Sequence, residues 1–212
     1  MKRSDHGMVS TICWSTEDKI QFAMEGVIVT CGGTIEWLRN EVGLIDDSQQ
    51  TESMANAVDN NNGVYVIPAF SGLGTPHWDM TRKASIVGLT FSANKNHIVR
   101  AALESIAYQV KDVVDAMERD AEVKLDQLMV DGGISSNEFV LQFLSDLLQK
   151  KVVNLGVADV SALGAAYLAG LKSGMFQNID ILRSLPSRPK VYQPKTNVDH
   201  LYAGWQKAIK NH

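Results

Sequence analysis

Cysteine, proline and long apolar runs are all scarce in this chain. Two cysteines occur among 212 residues, Cys13 and Cys31, with no CxxC pair and no histidine at ligand spacing. That excludes a disulfide framework and a cysteine-based zinc site, and both residues read as buried free thiols in a reducing compartment. No stretch approaches the roughly 20 consecutive apolar residues of a membrane-spanning helix. Residues 1–6 (MKRSDH) are not followed by the apolar segment of a secretory leader, so a cytoplasmic location without membrane contact is expected. Positive charge is not in excess: 20 Lys and Arg against 24 Asp and Glu give a net charge of −4. Such a chain offers no basic field to a nucleic acid. Internal repeats, low-complexity tracts and composition shifts are also missing. With 45% hydrophobic and 21% charged residues, the chain can bury an ample core as one domain spanning residues 1–212.

One pattern recurs three times. A short β-branched run ends in a small, glycine-bearing turn and opens a helix with an apolar stripe. The junctions are residues 27–33 (VIVTCGG) before 34–38 (TIEWL), residues 128–133 (LMVDGG) before 135–138 (SSNE), and residues 152–154 (VVN) with their loop before 161–166 (SALGAA). A turn with two glycines lets a ligand approach the backbone closely, and free N–H groups at the next helix start favour an anion or a polar ring edge. Chemistry is expected at these turns, above all at the middle one.

The remaining pattern supplies the frame. Residues 9–14 and 20–24 read as strands joined by the polar turn 15–18, a β-hairpin. Residues 46–62 read as a polar surface excursion with a short helix around Met54, Ala57 and Val58. Residues 64–67 and 86–89 read as strands flanking an ordered loop, 68–79, rich in Gly and Pro. Val99, Ala102, Leu103, Ile106, Val110, Val113, Val114 and Met117 form a continuous helical stripe. A second stripe comprises Phe139, Val140, Phe143, Leu144, Leu147 and Leu148, preceded by Ser135 and Glu138 in a capping-box pattern. Pro186, Pro189 and Pro194 predict a non-helical crossing before a last amphipathic helix carrying Leu201, Tyr202, Trp205, Ala208 and Ile209. Consecutive strands followed by strand–helix crossovers imply an α/β fold: a mixed sheet with helices on both faces, ligands binding at strand ends.

Gly88-Leu89, seven residues, His97-Ile98, two residues and then residues 101–104 (AALE) resemble the second signature of the FGGY carbohydrate kinase family. Residues 37–39 (WLR), 63–74 (GVYVIPAFSGLG), Trp78 with Asp79, 130–133 (VDGG), 162–170 (ALGAAYLAG) and 202–205 (YAGW) are similar to its glycerol-phosphorylating branch. The resemblance runs from about Gly7 to the C-terminus and covers most of the family's second, C-terminal domain. It implies an actin-like ATPase (ribonuclease H-like) fold and transfer of the ATP γ-phosphoryl group, bridged by Mg2+, to a terminal hydroxyl of glycerol, giving glycerol 3-phosphate. Such transfer depends on in-line positioning and charge neutralisation. The family's catalytic aspartate, substrate-binding residues and both phosphate-binding hairpins are expected to precede Met1. No catalytic residue is therefore assigned, glycerol or a related polyol is expected to bind through the missing half, and the chain alone is expected to be inactive.

The resemblance assigns cofactor contacts to Gly32, Glu36, Gly132, Gly133 and Asn137. The 132–133 turn would pass beneath the nucleotide, and the Asn137 amide would reach the adenine edge, which offers a donor and an acceptor together. Glu36 departs from the glutamine usual in the branch. It either accepts from ribose hydroxyls or caps its helix, where the macrodipole favours a carboxylate. No metal ligand is assigned.

Other candidates carry blander readings. His77, Trp78 and Asp79 are neighbours on a loop, which seldom converge on one centre, so they read as loop architecture with Trp78 as a buried anchor. Residues 75–79 (TPHWD) are also similar to xylulose kinases, which keeps another polyol or a ketose open as substrate. His97 and Glu104 read as a helix cap and a polar core contact. Ser161, Gly164, Ala165 and Ala166 read as a small-residue face for close packing of helix on sheet. Outside the enzymes, the alternative is a non-catalytic nucleotide-binding or structural fragment. In either case the face that meets the missing half would be exposed, so self-association is expected.

Overall fold

The computed structural model describes residues 4–157, 159–185 and 189–211. The expected hairpin is present, with β1 (Val9–Ser15) pairing antiparallel to β2 (Ile20–Glu25). Both of its faces are largely open, so Cys13, expected to be buried, is exposed, and Cys31 is intermediate. Residues 27–29, expected as a strand, form none. Their one regular partner is Thr75, whose N–H donates to the Val27 carbonyl (2.9 Å) and whose hydroxyl accepts from the Val27 N–H (3.0 Å). Pro76 follows and has no N–H to continue a ladder. The chain then enters α1 (Gly33–Asn40) and α2 (Gln50–Asn56).

The strands β3 (Tyr65–Ile67) and β4 (Ser85–Val87) pair antiparallel, and the loop between them is ordered by its own polar groups. Its His77, Trp78 and Asp79 do not converge. The His77 Nε2–H donates to Asp112 (3.1 Å), the Trp78 indole donates to the Gly7 carbonyl (2.7 Å), and Asp79 accepts from the Thr81 N–H (3.0 Å) and hydroxyl. Trp78 is 46% exposed rather than a buried anchor, because satisfying its N–H at Gly7 lays the ring along the surface.

The secure helical stripe becomes α3 (Lys95–Ala121), 27 residues long. Asn94 caps it, accepting from the N–H groups of Asn96 and His97, while His97 Nδ1 accepts from the Asn94 N–H. This is a capping box, so His97 plays the structural part expected of it. Beyond α3, β5 (Gln127–Val130) runs parallel to β6 (Lys151–Asn154), which runs antiparallel to β7 (Lys190–Tyr192). This is the mixed sheet, three strands wide, and the two hairpins stand apart from it. Between β5 and β6 lies α4 (Glu138–Leu148), preceded by a 3-10 turn over Gly133–Ser136. The expected capping box of Ser135 and Glu138 does not form. Asn137 is the cap, since the 3-10 turn consumes Ser135, whose hydroxyl donates to the Gly132 carbonyl (2.7 Å).

After β6, α5 (Val160–Lys172) is capped by Asp159. Its small-residue face is not closely packed on a sheet: Ser161, Ala165 and Ala166 are exposed, and Ser161, Gly164 and Ala165 line an open cleft with Cys13 and Trp14 of β1. Gly170 is its one buried residue, and a Cβ on Gly164 would meet nothing within 4 Å. The short α6 (Ile179–Arg183) precedes β7, and α7 (Asp199–Asn211) closes the chain. Of the prolines predicted to mark that crossing, Pro186 lies outside the described residues. The α7 helix buries Trp205, Ala208 and Ile209 as its stripe foretells. Three apolar clusters flank α3: one gathers α4, β6, β7 and α7 around Tyr108, another gathers α1 and α2 around Leu103 and Ile106, and a small third joins Met8 to Val113 and Ala116.

Candidate functional site

Four of the five candidate residues come together. Gly32, Glu36, Gly133 and Asn137 line one cavity of about 540 Å³, together with Ile35, Ser48, Gln49, Thr51, Glu52, Ile134 and Ser136. Gly132 is the residue immediately before the turn on that wall. Its φ of 86° and ψ of 179° are strained for any residue with a Cβ, which is why glycine stands there. A Cβ at Gly32, Gly132 or Gly133 would meet nothing within 4 Å, so all three backbones are open to close approach.

Glu36 sits in the first turn of α1 but caps nothing. Its carboxylate accepts from the Arg39 guanidinium (2.6 Å) and, at 3.5 Å, from Asn40. The partner lies one turn on, where i,i+3 spacing brings the two side chains together. The capping alternative is thereby corrected: the N-cap is Gly32, and no side chain caps α1. Half the Glu36 side chain stays exposed, leaving acceptor capacity toward the cavity.

Asn137 uses both ends of its amide. Oδ1 accepts from the Val140 N–H (3.1 Å), and Nδ2 donates to the Thr51 hydroxyl (3.1 Å). Next to it, the Glu138 N–H donates to the Glu52 carboxylate (2.8 Å). Two consecutive residues of α2 thus grip two consecutive residues at the start of α4. These α2 residues are the part of the wall that sequence reasoning missed. A polar stretch reads as a surface excursion, and a contact 86 residues away leaves no local signal.

Among the described residues, the cavity wall carries two carboxylates, Glu36 and Glu52, and no lysine or arginine. Such a wall accepts hydroxyl and amino donors and repels phosphate. Among the described residues, no cluster of His, Cys, Asp and Glu is arranged to hold a metal ion, and no helix is long and apolar enough to cross a membrane. A second cleft, of about 660 Å³, lies behind Glu52 and Glu138 and contains none of the candidate residues.

The sequence profile of the FGGY family of carbohydrate kinases, C-terminal domain, matches residues 1–173. This chain belongs to the FGGY family. It is 45% identical over 210 residues to a glycerol kinase of Shewanella woodyi and 46% identical over 211 residues to one of Escherichia coli O81. Each match covers 98% of this chain but 42% of the relative, so the chain spans about two fifths of the length of these FGGY proteins. The fold superimposes on Plasmodium falciparum glycerol kinase with ADP at a TM-score of 0.86 and 36% identity, over 98% of this chain and 42% of that one. It also superimposes on a ligand-bound xylulose kinase of Lactobacillus acidophilus at 0.78 and 22% identity, over 99% and 42%, a likeness of fold alone. The chain thus corresponds to the FGGY C-terminal domain, with its actin-like, ribonuclease H-like fold.

Proposed function

We propose that this chain holds the nucleoside end of ATP in an enzyme that phosphorylates glycerol at a terminal hydroxyl. The observation that carries the reading is the convergence of Gly32, Glu36, Gly133 and Asn137 on one cavity whose glycine backbones are open. The cavity's chemistry fits a nucleoside and not a triphosphate: an amide for a base edge, carboxylates for hydroxyls, no cation for phosphate. Magnesium would travel with the phosphates, and no residue of this chain is assigned to it. The 45–46% identity to glycerol kinases favours glycerol over a ketose. The loop similar to xylulose kinases does not alter this, since His77 turns to Asp112 and does not line the cavity.

Titration calorimetry tests the reading. ADP and ATP are expected to bind with similar affinity, because the γ-phosphate lies beyond these walls. With Glu36 accepting from the ribose, Glu36→Gln should weaken ADP by about fivefold, the scale of one charge-assisted hydrogen bond traded for a neutral one. Absence of heat at millimolar ADP would reject the site, and an unchanged Glu36→Gln affinity would reject the ribose contact.

The reading also supports self-association. Val9, Ile12, Ile20 and Phe22 of the hairpin are 38–59% exposed, and Leu168 of α5 is 38% exposed. Apolar surface gathered in this way promotes association. Sedimentation velocity is expected to show a weight-average mass that rises with concentration. A single monomeric boundary at all loadings would contradict it.

A further inference from the structure

The geometry points to Thr51 as the residue that makes Asn137 a one-handed reader of a purine edge. This rests on the nucleotide reading above and goes beyond it to base discrimination. A free asparagine amide is ambidextrous, because rotating it by half a turn exchanges donor and acceptor. It could then satisfy adenine, which presents an amino donor beside a ring-nitrogen acceptor, or hypoxanthine, which presents the reverse. Asn137 is not free in this sense. Val140 N–H is an obligate donor and holds the oxygen end.

Thr51 holds the nitrogen end, and its own geometry leaves it no choice. Thr51 is 1% exposed and its hydroxyl donates to the Ser48 carbonyl at 2.6 Å, so toward Asn137 the oxygen can only accept. An acceptor there demands Nδ2. With both ends held, one Nδ2 proton and one Oδ1 lone pair remain for a ligand, and their handedness is fixed. The neighbouring bond from Glu138 N–H to Glu52 adds a second tie between the start of α4 and α2. Thr51 is thus a positioning residue that acts through Asn137.

Without the Thr51 acceptor, the amide plane pivots on Oδ1. Nδ2 then loses its alignment with either base. The wild-type chain is expected to bind ADP about tenfold more tightly than inosine 5′-diphosphate, the scale of mismatched hydrogen bonds in a partly buried site. Thr51→Val, close in shape but without the acceptor, should shrink that preference to about twofold, and Thr51→Ser should restore it. A purely structural role would lower thermal stability and leave the ADP-to-IDP ratio unchanged.

Calorimetry on the full chain with both diphosphates reads the ratio. The Asn137 side-chain amide signals of the unliganded wild type, followed by 15N NMR, read the pin without any variant, which covers a Thr51→Val protein that fails to fold. An Asn137 Nδ2 proton protected from exchange with water supports the pin, and one that exchanges as fast as an exposed asparagine amide overturns it. A Thr51→Val protein with the wild-type ratio overturns the role of Thr51 alone. A wild type that binds neither diphosphate overturns the nucleotide reading, and this inference with it.

Discussion

Replacing Trp205 with alanine is expected to destabilise the chain by about 3–5 kcal/mol, the usual range for truncating a fully buried tryptophan. Trp205 is 0% exposed, stacks on Tyr108 with ring centroids 5.3 Å apart, and donates its indole N–H to Asp112 at 3.0 Å. Asp112 also accepts from the Tyr202 hydroxyl and from His77, so one carboxylate on α3 ties down α7 and the 68–79 loop together. Removing the indole leaves a cavity beside Tyr108 and strips a partner from a carboxylate that is 6% exposed. The thermal midpoint should fall by roughly 10 °C for a chain of this size. Calorimetric melting checks it, and a shift of less than about 2 °C would show that α7 does not anchor the core.

The second large effect is expected at Glu104. Its side chain is fully buried on α3, where it accepts from Arg100 (2.8 Å), Tyr108 (3.0 Å) and Asn61 (2.9 Å). Burial pushes the carboxyl above its ordinary range, and the hydrogen bonds and charge of Arg100 pull it back, helped by Tyr108 and Asn61. Glu104→Ala leaves three donors facing an empty space. The loss is expected to be about 3–5 kcal/mol, as for other buried pairs from which one partner is removed. Glu104→Gln keeps an acceptor for two of them and should lose about half as much. Urea denaturation of the two variants separates these outcomes. Equal losses would mean that the charge, not the acceptor geometry, sets the cost.

What the sequence disclosed follows from how local each signal is. The stripe on α3 and those on α4 and α7 are periodic within a few turns, so their helices and buried faces were legible from the residues alone. The hairpin and the open glycines at Gly32, Gly132 and Gly133 were equally local. The caps misled because several residues in a row qualify. Asn137 won over Ser135 once the exact start of α4 was fixed by the 3-10 turn before it. The strand expected at residues 27–29 failed because a β-branched run still needs a neighbour along its length, and Thr75 followed by Pro76 is not one. The close packing expected of α5 did not form either: small residues permit close approach but do not enforce it, and an open cleft lies between them and β1. In the candidate site, the glycines and Asn137 were readable, whereas Thr51 and Glu52 depend on a tertiary contact.

The 27-residue α3 has one more consequence. At 1.5 Å per residue its axis is about 40 Å long, more than a single core of this size can surround. The apolar clusters are instead strung along it: Val99 to Ile106 in one, Ala107, Tyr108 and Val114 in another, and Val113 and Ala116 in a third that receives Met8. The first two also share β3, through Val66 and Ile67, and α4, through Val140 and Leu141. Since α3 supplies residues to all three, an opening that unwinds it is expected to disrupt them together, while one that peels away the β1–β2 hairpin is expected to leave the cavity beside Gly133 and Asn137 intact. The amides of α3 are therefore expected to be among the last to exchange with solvent.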